Sequence, residues 1–193
     1  MAAKGTKALT RVERYLAHLD QLTGGIEPTF TSVESTHDGL PRLTVLTYED
    51  IPERGMLTAL TYGLSLADHA DWRLGKPELC LSVASQDKSW ALAMGFLAES
   101  LRGEAPFCYG NTFGFGEQIA PESAMDAFVV FAPAVLERDD FTGIEVGDRL
   151  PINIAGLYPI HAAERLYIGE HGLEAFWAVD WDVYDVGRPP ALS

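Results

Sequence analysis

Two nearly identical hexapeptides, at residues 43–48 and 57–62, limit the folds open to this chain more than any other feature of its sequence. Both read Leu-Thr-x-Leu-Thr-Tyr and are rich in residues that favour strands. The segment between them contains Pro52 and Gly55, which is typical of a connecting loop. The two hexapeptides therefore predict neighbouring antiparallel strands. A match of this length is too short to indicate duplicated domains.

Apolar residues at helical spacing predict two amphipathic helices. The first covers residues 7–22, with Thr6 able to cap its start and Gly24 able to end it. The second covers about residues 90–101, where Trp, Met and Leu side chains share one face. An apolar stripe of this kind is typical of a helix that packs on a core.

Shorter segments predict the remaining elements. Strands are expected over residues 78–83, 112–119, 127–131 and 150–157, and helices over residues 160–168 and 173–177. These elements do not follow a strict β-α-β order. The order favours an α+β fold, a mixed and largely antiparallel β-sheet with packed helices, formed as a single domain over residues 1–193.

The composition describes a globular and strongly acidic protein. Hydrophobic residues make up 47% of the chain, enough for a core, while 14 Lys and Arg stand against 28 Asp and Glu. This charge balance argues against nucleic acid or an anionic membrane surface as a partner. The amino terminus lacks the apolar core of a signal peptide, and two cysteines give no disulfide framework. We therefore expect a cytoplasmic protein.

The glycine-rich segment at residues 110–116 reads Gly-Asn-Thr-Phe-Gly-Phe-Gly. It matches neither the P-loop nor the dinucleotide-binding fingerprint, because no Gly-Lys-Ser/Thr follows it and no helix begins after it. Glycines that alternate with phenylalanines indicate a bent strand that lets another backbone approach closely, or simply a bulge. We take this segment as the candidate partner-binding site, formed by Asn111, Phe113, Gly114, Phe115 and Gly116.

Candidate metal ligands form no established pattern. His161 and Glu164 are three residues apart on a predicted helix, with His171 further along, but the signature His-Glu-x-x-His is absent. These residues, like the loop Asp-His-Ala-Asp at 68–71, are more typical of surface or capping polarity. We expect no metal and no cofactor. Cys108 lies between two aromatic residues and is expected to be a buried thiol that is not activated.

Acidic residues and aromatic side chains are concentrated toward the carboxyl terminus. Residues 121–193 hold 13 acids and 4 bases, a net charge of −9, against −5 for residues 1–120. Trp177, Trp181 and Tyr184 lie among aspartates and can anchor a basic partner or clamp the segment to the core. We expect the clamp.

Several segments together resemble the suppressor-of-fused domain. These segments are Leu-Thr-Tyr-Gly-Leu-Ser at 60–65, Pro-Glu-Leu-Cys-Leu-Ser at 77–82, Pro-Phe-Cys-Tyr-Gly at 106–110, Phe-Val-Val-Phe at 128–131 and Ile-Asn-Ile-Ala-Gly-Leu-Tyr-Pro-Ile-His at 152–161. The resemblance covers about residues 28–190. It implies an α/β domain that acts by binding proteins rather than by catalysis.

The family resemblance also implies a mode of binding. The animal members have two domains and hold a transcription factor whose peptide adds as a strand between those domains. This chain is similar only to the amino-terminal domain, and an acidic family position that contacts the peptide falls on the neutral Asn111. Stand-alone bacterial members resemble immunity proteins, which cover a toxin.

The expected function is therefore that of a non-enzymatic protein-binding module, an immunity-type inhibitor of a basic toxin or other protein partner. The alternative from another class is a metal-dependent hydrolase that uses His161, Glu164 and His171.

Overall fold

The repeated hexapeptides are neighbouring antiparallel strands in the computed structural model, which describes residues 8–192. Leu46 lies opposite Leu60, and Thr47 lies opposite Ala59. Residues 50–56 connect the two strands as a loop. The pairing predicted from the repeat is thus confirmed.

Within residues 8–192 the chain forms one sheet of seven strands, with five helices packed on it. The strands are β1 (Thr29–Val33), β2 (Leu43–Glu49), β3 (Leu57–Tyr62), β4 (Lys76–Val83), β5 (Thr112–Gly114), β6 (Ala127–Phe131) and β7 (Ile152–Ile160). The helices are α1 (Arg11–Thr23), α2 (Ser89–Ser100), α3 (Arg138–Phe141), α4 (Ala162–His171) and α5 (Leu173–Trp177). None of these helices combines the length and the apolar character needed to cross a bilayer.

The order of the strands in the sheet is β1-β2-β3-β4-β7-β6-β5. The central pair β4 and β7 is parallel, whereas the other neighbours in the sheet are antiparallel. The predicted α+β fold with a mixed, largely antiparallel sheet is therefore confirmed. The edges of the sheet are β1 on one side and β5 on the other.

Helices cover both faces of the sheet because successive strand residues point to opposite sides. On one face Val45 of β2 and Leu79 of β4 pack with Trp90 of α2. On the other face Leu46 and Cys80 pack with α1, and a separate cluster joins β6 and β7 to α4 and α5. The contact between α2 and the sheet is close, since a Cβ atom at Gly95 would lie 2.7 Å from Val45 Cγ2.

A buried carboxylate lies in the centre of the sheet, on β4. Glu78 is fully buried and accepts hydrogen bonds from the hydroxyl of Thr61, the amide of Gly63, and both the amide and the hydroxyl of Ser65. Arg11 of α1 donates in turn to the Ser65 hydroxyl, over 2.7 Å. A buried charge is tolerated only when it is bonded in this way, and the network also fixes α1 against the sheet.

The first helix begins later than the sequence predicts. Thr10 is its cap: the Thr10 hydroxyl accepts from the Glu13 amide, and the Glu13 carboxylate accepts from the Thr10 amide over 2.6 Å. This capping box starts the helix at Arg11 rather than at residue 7, which with Thr6 lies outside the described residues. Gly24 ends the helix in the left-handed conformation, as predicted.

Several other boundaries differ from the prediction. The strand expected over residues 112–119 ends at Gly114, because the chain turns at Gly116 with a φ of +82°. The strand expected over residues 150–157 runs from Ile152 to Ile160 instead, and α4 starts after it. Two short elements without an apolar pattern, β1 and α3, were not predicted.

Candidate functional site

The predicted partner-binding segment forms the edge of the sheet. β5 pairs with β6 on one side, with Phe113 opposite Phe128, and no strand of the described chain pairs with its other side. The Phe115 amide donates to the Asp126 carbonyl over 2.7 Å. Because bonded residues alternate along an antiparallel strand, the backbone groups of Thr112 and Gly114 point away from β6. These groups are free to pair with an added strand.

Gly110 and Asn111 form a bulge immediately before β5. Val130 of β6 accepts from the Gly110 amide and donates to the Asn111 carbonyl, so that two residues of one strand face one residue of the other. The Asn111 side chain accepts from the Cys108 amide over 2.8 Å. Asn111 therefore shapes the turn that leads into the edge strand, and its side-chain oxygen is already bonded.

The two phenylalanines of the segment lie on the α2 face of the sheet. Phe113 packs against Phe107 with ring centroids 5.1 Å apart, and Phe115 meets Phe128 edge to face at 6.1 Å. Both rings border the core cluster that contains α2. They fix the edge strand to the core while part of each ring remains exposed.

Gly114 faces the opposite side of the sheet, toward α4. A Cβ atom at this position would lie 2.7 Å from Nη1 of Arg165, so the missing side chain makes room for the guanidinium group. Arg165 is exposed, and within residues 8–192 it forms no ion pair and no side-chain hydrogen bond. An unneutralised cation thus lies directly beside the edge strand.

An open groove of about 690 Å³ follows the edge of β5. Its wall on the α2 side consists of Phe96, Leu97, Ser100 and Leu101, and Arg165 contributes to it from the α4 side. Phe96 is 60% exposed, which is unusual for a ring of this size. The groove therefore joins an edge with free backbone groups to exposed apolar surface, which is the combination that strand addition requires.

The structure thus brings Phe113, Gly114 and Phe115 into the lining of one groove, together with side chains that the sequence analysis did not select. Asn111 and Gly116 flank β5 and control its two ends. The missed residues are Phe96 and Arg165. Arg165 could have been noticed as one of only 4 bases among the 13 acids of residues 121–193.

The residues of the alternative hydrolase site have structural roles instead. Glu164 is fully buried and forms two bonds to the Arg188 guanidinium, of 2.5 and 2.9 Å. Its carboxylate also accepts from the amides of Ala191 and His161. Burial alone would raise the pKa of Glu164, but the bonds from Arg188 and the two amides outweigh it, and the pKa lies below its usual value.

The two histidines do not complete a metal site with Glu164. His161 lies at the start of α4 and its Nε2 is 3.1 Å from the Arg188 carbonyl oxygen. His171 is exposed, and its ring packs at a tilt against Tyr167, with centroids 4.4 Å apart. No group of three or more potential metal ligands occurs among residues 8–192. The structure therefore does not bring His161, Glu164 and His171 together as one metal site, and Glu164 binds the carboxyl-terminal segment instead.

Cys108 is exposed, which corrects the expectation of a buried thiol. It lies in the turn before β5 rather than in the core, because Phe107 takes the buried position beside it. Partial desolvation and the nearby charge of Asp71 raise the pKa of the Cys108 thiol. Such a thiol is less reactive than a free cysteine, as a residue without an activating partner should be.

The aromatic carboxyl-terminal segment packs onto the protein as a clamp, as the sequence predicts. Trp177 lies against Phe131, with ring centroids 4.3 Å apart, and meets Trp181 edge to face. The Arg188 guanidinium lies 4.6 Å from the Trp181 ring centroid while it binds Glu164. The segment therefore packs these aromatic anchors, half-buried, against the chain itself.

Comparison with known proteins places this fold among solved structures. A suppressor-of-fused homologue from Neisseria gonorrhoeae aligns over 93% of this chain and 96% of its own, with a TM-score of 0.73 and 17% identity. The Sufu-Fu complex structure aligns over 94% and 92%, with a TM-score of 0.68 and 10% identity. Drosophila Suppressor of Fused aligns over 99% of this chain but 54% of its own, with a TM-score of 0.70 and 11% identity.

No curated protein matches the chain at a significant level. The family profile described as Suppressor of fused protein (SUFU) matches residues 39–189, which include every strand of the sheet except β1. On this match, the chain belongs to the suppressor-of-fused family.

Proposed function

We propose that this chain is a non-enzymatic protein-binding module that accepts an extended segment of its partner along the edge of β5. The observation that carries the proposal is the free edge itself. Thr112 and Gly114 present unpaired backbone groups to a groove whose α2 wall contains an exposed Phe96. Main-chain bonds would provide affinity, and contacts in the groove would provide specificity.

Family membership supports this proposal, and so does one of the structural neighbours, which was solved as a Sufu-Fu complex. A role without catalysis is supported by the use of Glu164 and His161 in anchoring the carboxyl-terminal segment. Both cysteines are free thiols, which suits the reducing cytoplasm in which we propose that the protein acts.

We further propose that the partner is a basic toxin and that the chain acts as its immunity-type inhibitor. The net charge of −14 supports this because an acidic surface accelerates the capture of a basic protein. The aromatic anchors Trp177 and Trp181 are packed within the chain, so the groove beside β5 is the better candidate for the contact surface.

Capture of the partner from native cell extracts by variants of the chain tests whether the partner docks on the free edge of β5, called here the docking edge. Phe96→Ser removes the exposed ring of the groove, and Phe30→Ser is the matched control, because Phe30 is 58% exposed on the opposite edge strand β1. Thr112→Pro removes an amide that points away from β6 and so leaves the ladder with β6 intact. We expect Phe96→Ser and Thr112→Pro to lose the partner and Phe30→Ser to retain it.

Thermal unfolding of each variant is the control for folding, since a Tm close to that of the wild type means that the fold is preserved. Equal capture by all three variants, or capture lost only with Phe30→Ser, would refute docking at β5. Capture that weakens as salt is raised would support charge-steered association.

Co-expression tests the toxin proposal separately. The captured partner is expressed alone, with the wild-type chain, and with Phe96→Ser. We expect growth to stop with the partner alone and to recover only with the wild-type chain. A captured partner that leaves growth unaffected would refute the immunity role without affecting the docking edge.

A further inference from the structure

We infer that the segment accepted by β5 carries an acidic side chain opposite Gly114 and apolar side chains at the positions on either side of it. This inference rests on the proposed function, because it specifies the partner of the same edge. The observation behind it is that the groove has different chemistry on the two faces of the sheet: Phe96 and Leu101 on the α2 side, and Arg165 on the α4 side.

Strand geometry decides which partner residue meets which wall. Side chains alternate along a strand, and residues that lie opposite each other in neighbouring strands point to the same face. A partner residue opposite Gly114 therefore points toward α4, where the Arg165 guanidinium lies over the glycine. The residues before and after it point toward α2, where Phe96 and Leu101 form the wall.

Distance and space favour a direct contact with Arg165. Side chains directly opposite each other begin about 5 Å apart at Cβ, and an arginine that already extends over Gly114 is within reach of a carboxylate there. Because Gly114 has no side chain, nothing of the edge strand separates the two groups. A basic residue at this position would be repelled, and an apolar one would leave the guanidinium without a bond.

The other charged residue of the groove, Glu117, is not part of the contact between Gly114 and Arg165. Glu117 lines the groove beyond Gly116, past the end of β5, and within residues 8–192 it forms no ion pair with Arg165. The positive charge is therefore local to the edge strand in a protein with a net charge of −14. The net negative charge of the protein attracts a basic partner over a long range. Arg165 acts locally, because it determines which residue of the partner's strand lies opposite Gly114.

A designed peptide tests the inference directly. The probe is the acetylated and amidated peptide Lys-Thr-Val-Thr-Phe-Glu-Val-Thr-Lys, in which Val and Phe share one face and Glu lies on the other. Two further peptides replace Glu by Gln or by Lys. Each is titrated into the ¹⁵N-labelled full chain, and the Kd is taken from amide shifts, with those of Thr112 and Gly114 reporting on the edge.

We expect the Glu peptide to shift both amides and to bind about threefold to fivefold more tightly than the Gln peptide, as for one partly exposed ion pair. The Lys peptide should bind most weakly. In Arg165→Glu this order should reverse, with the Lys peptide favoured. Arg54→Glu, an exposed arginine in the loop between β2 and β3, is the matched control and should keep the wild-type order.

Two results would overturn the inference in distinguishable ways. Equal affinities for the three peptides, with shifts at Thr112 and Gly114, would remove the role of Arg165 but keep strand addition at β5. Shifts confined to other residues, or no binding of any peptide to the edge, would refute the docking edge and with it the proposed function.

Discussion

Replacement of Arg188 by methionine tests how the carboxyl-terminal segment holds α4, the helix that presents Arg165. The Arg188 side chain is 7% exposed and binds the fully buried Glu164 through two nitrogens. Methionine keeps an apolar stem near Trp181 but removes both bonds to the carboxylate. Glu164 would then retain only the amides of Ala191 and His161 as donors.

The expected loss follows from the burial of this pair. Removal of one partner of a buried ion pair leaves an uncompensated charge and costs about 3–5 kcal/mol in the free energy of unfolding. For a chain of this size each kcal/mol corresponds to about 2–4 °C, so the Tm should fall by on the order of 10 °C. Glu164→Gln combined with Arg188→Met should lose less than Arg188→Met alone, because no charge is left buried.

The loss of unfolding free energy in Arg188→Met should also depend on pH. In the wild type the pKa of Glu164 lies below its usual 4.5, so the group stabilises the fold above that pH and the contribution fades as the pH falls through the lowered pKa. Without Arg188, burial is no longer outweighed and the pKa rises, so the folded variant loses stability as the pH increases. The difference between the two proteins should therefore widen from about pH 4 to pH 7.

Urea unfolding at several pH values, followed by far-UV circular dichroism, measures this difference. A loss below about 1 kcal/mol that does not change with pH would mean that the pair behaves like a surface salt bridge. That result would refute the role of the Glu164–Arg188 pair as the anchor of α4.

Two further expectations concern packing and the thiols. Gly95→Ala should destabilise the protein by about 1–3 kcal/mol, because its Cβ would lie 2.7 Å from Val45 Cγ2. Gly169→Ala, in α4 with no atom within 4 Å of the new Cβ, should stabilise it by about 0.5–1 kcal/mol; urea unfolding of both variants checks the opposite signs. A chromogenic disulfide reagent should label the exposed Cys108 in the native protein, and Cys80, buried with a pKa of about 12, only after unfolding. Labelling of both thiols without denaturant would contradict this.

Strong local patterns were sufficient to predict six of the seven strands and the pairing of two of them. The two hexapeptides fixed the β2–β3 pair, and the bounds predicted for residues 127–131 and 173–177 agree with β6 and α5. β1 was missed because Thr-Phe-Thr-Ser-Val has little apolar alternation, and its side chains are mostly exposed. It forms a strand because β2 offers it a partner, which is a tertiary effect that no local pattern records.

The site was predicted only in part for a similar reason. The glycines and phenylalanines at 113–116 signalled an unusual strand, but whether it lay at an edge depended on the order of strands in the sheet. Arg165 comes to Gly114 from a helix about 50 residues later in the chain, and that contact depends on how α4 packs. The partner of Glu164 was hidden for the same reason, since Arg188 follows it by 24 residues.

Hydrogen exchange at β5 tests the central claim most directly. In the free protein the amides of Thr112 and Gly114 point away from β6 and should exchange rapidly, while the amide of Phe113, bonded within the sheet, should be protected. When the captured partner is bound at saturation, the account predicts that Thr112 and Gly114 become protected as well. Rapid exchange of both amides in the saturated complex, or new protection along β1 instead, would contradict strand addition at β5.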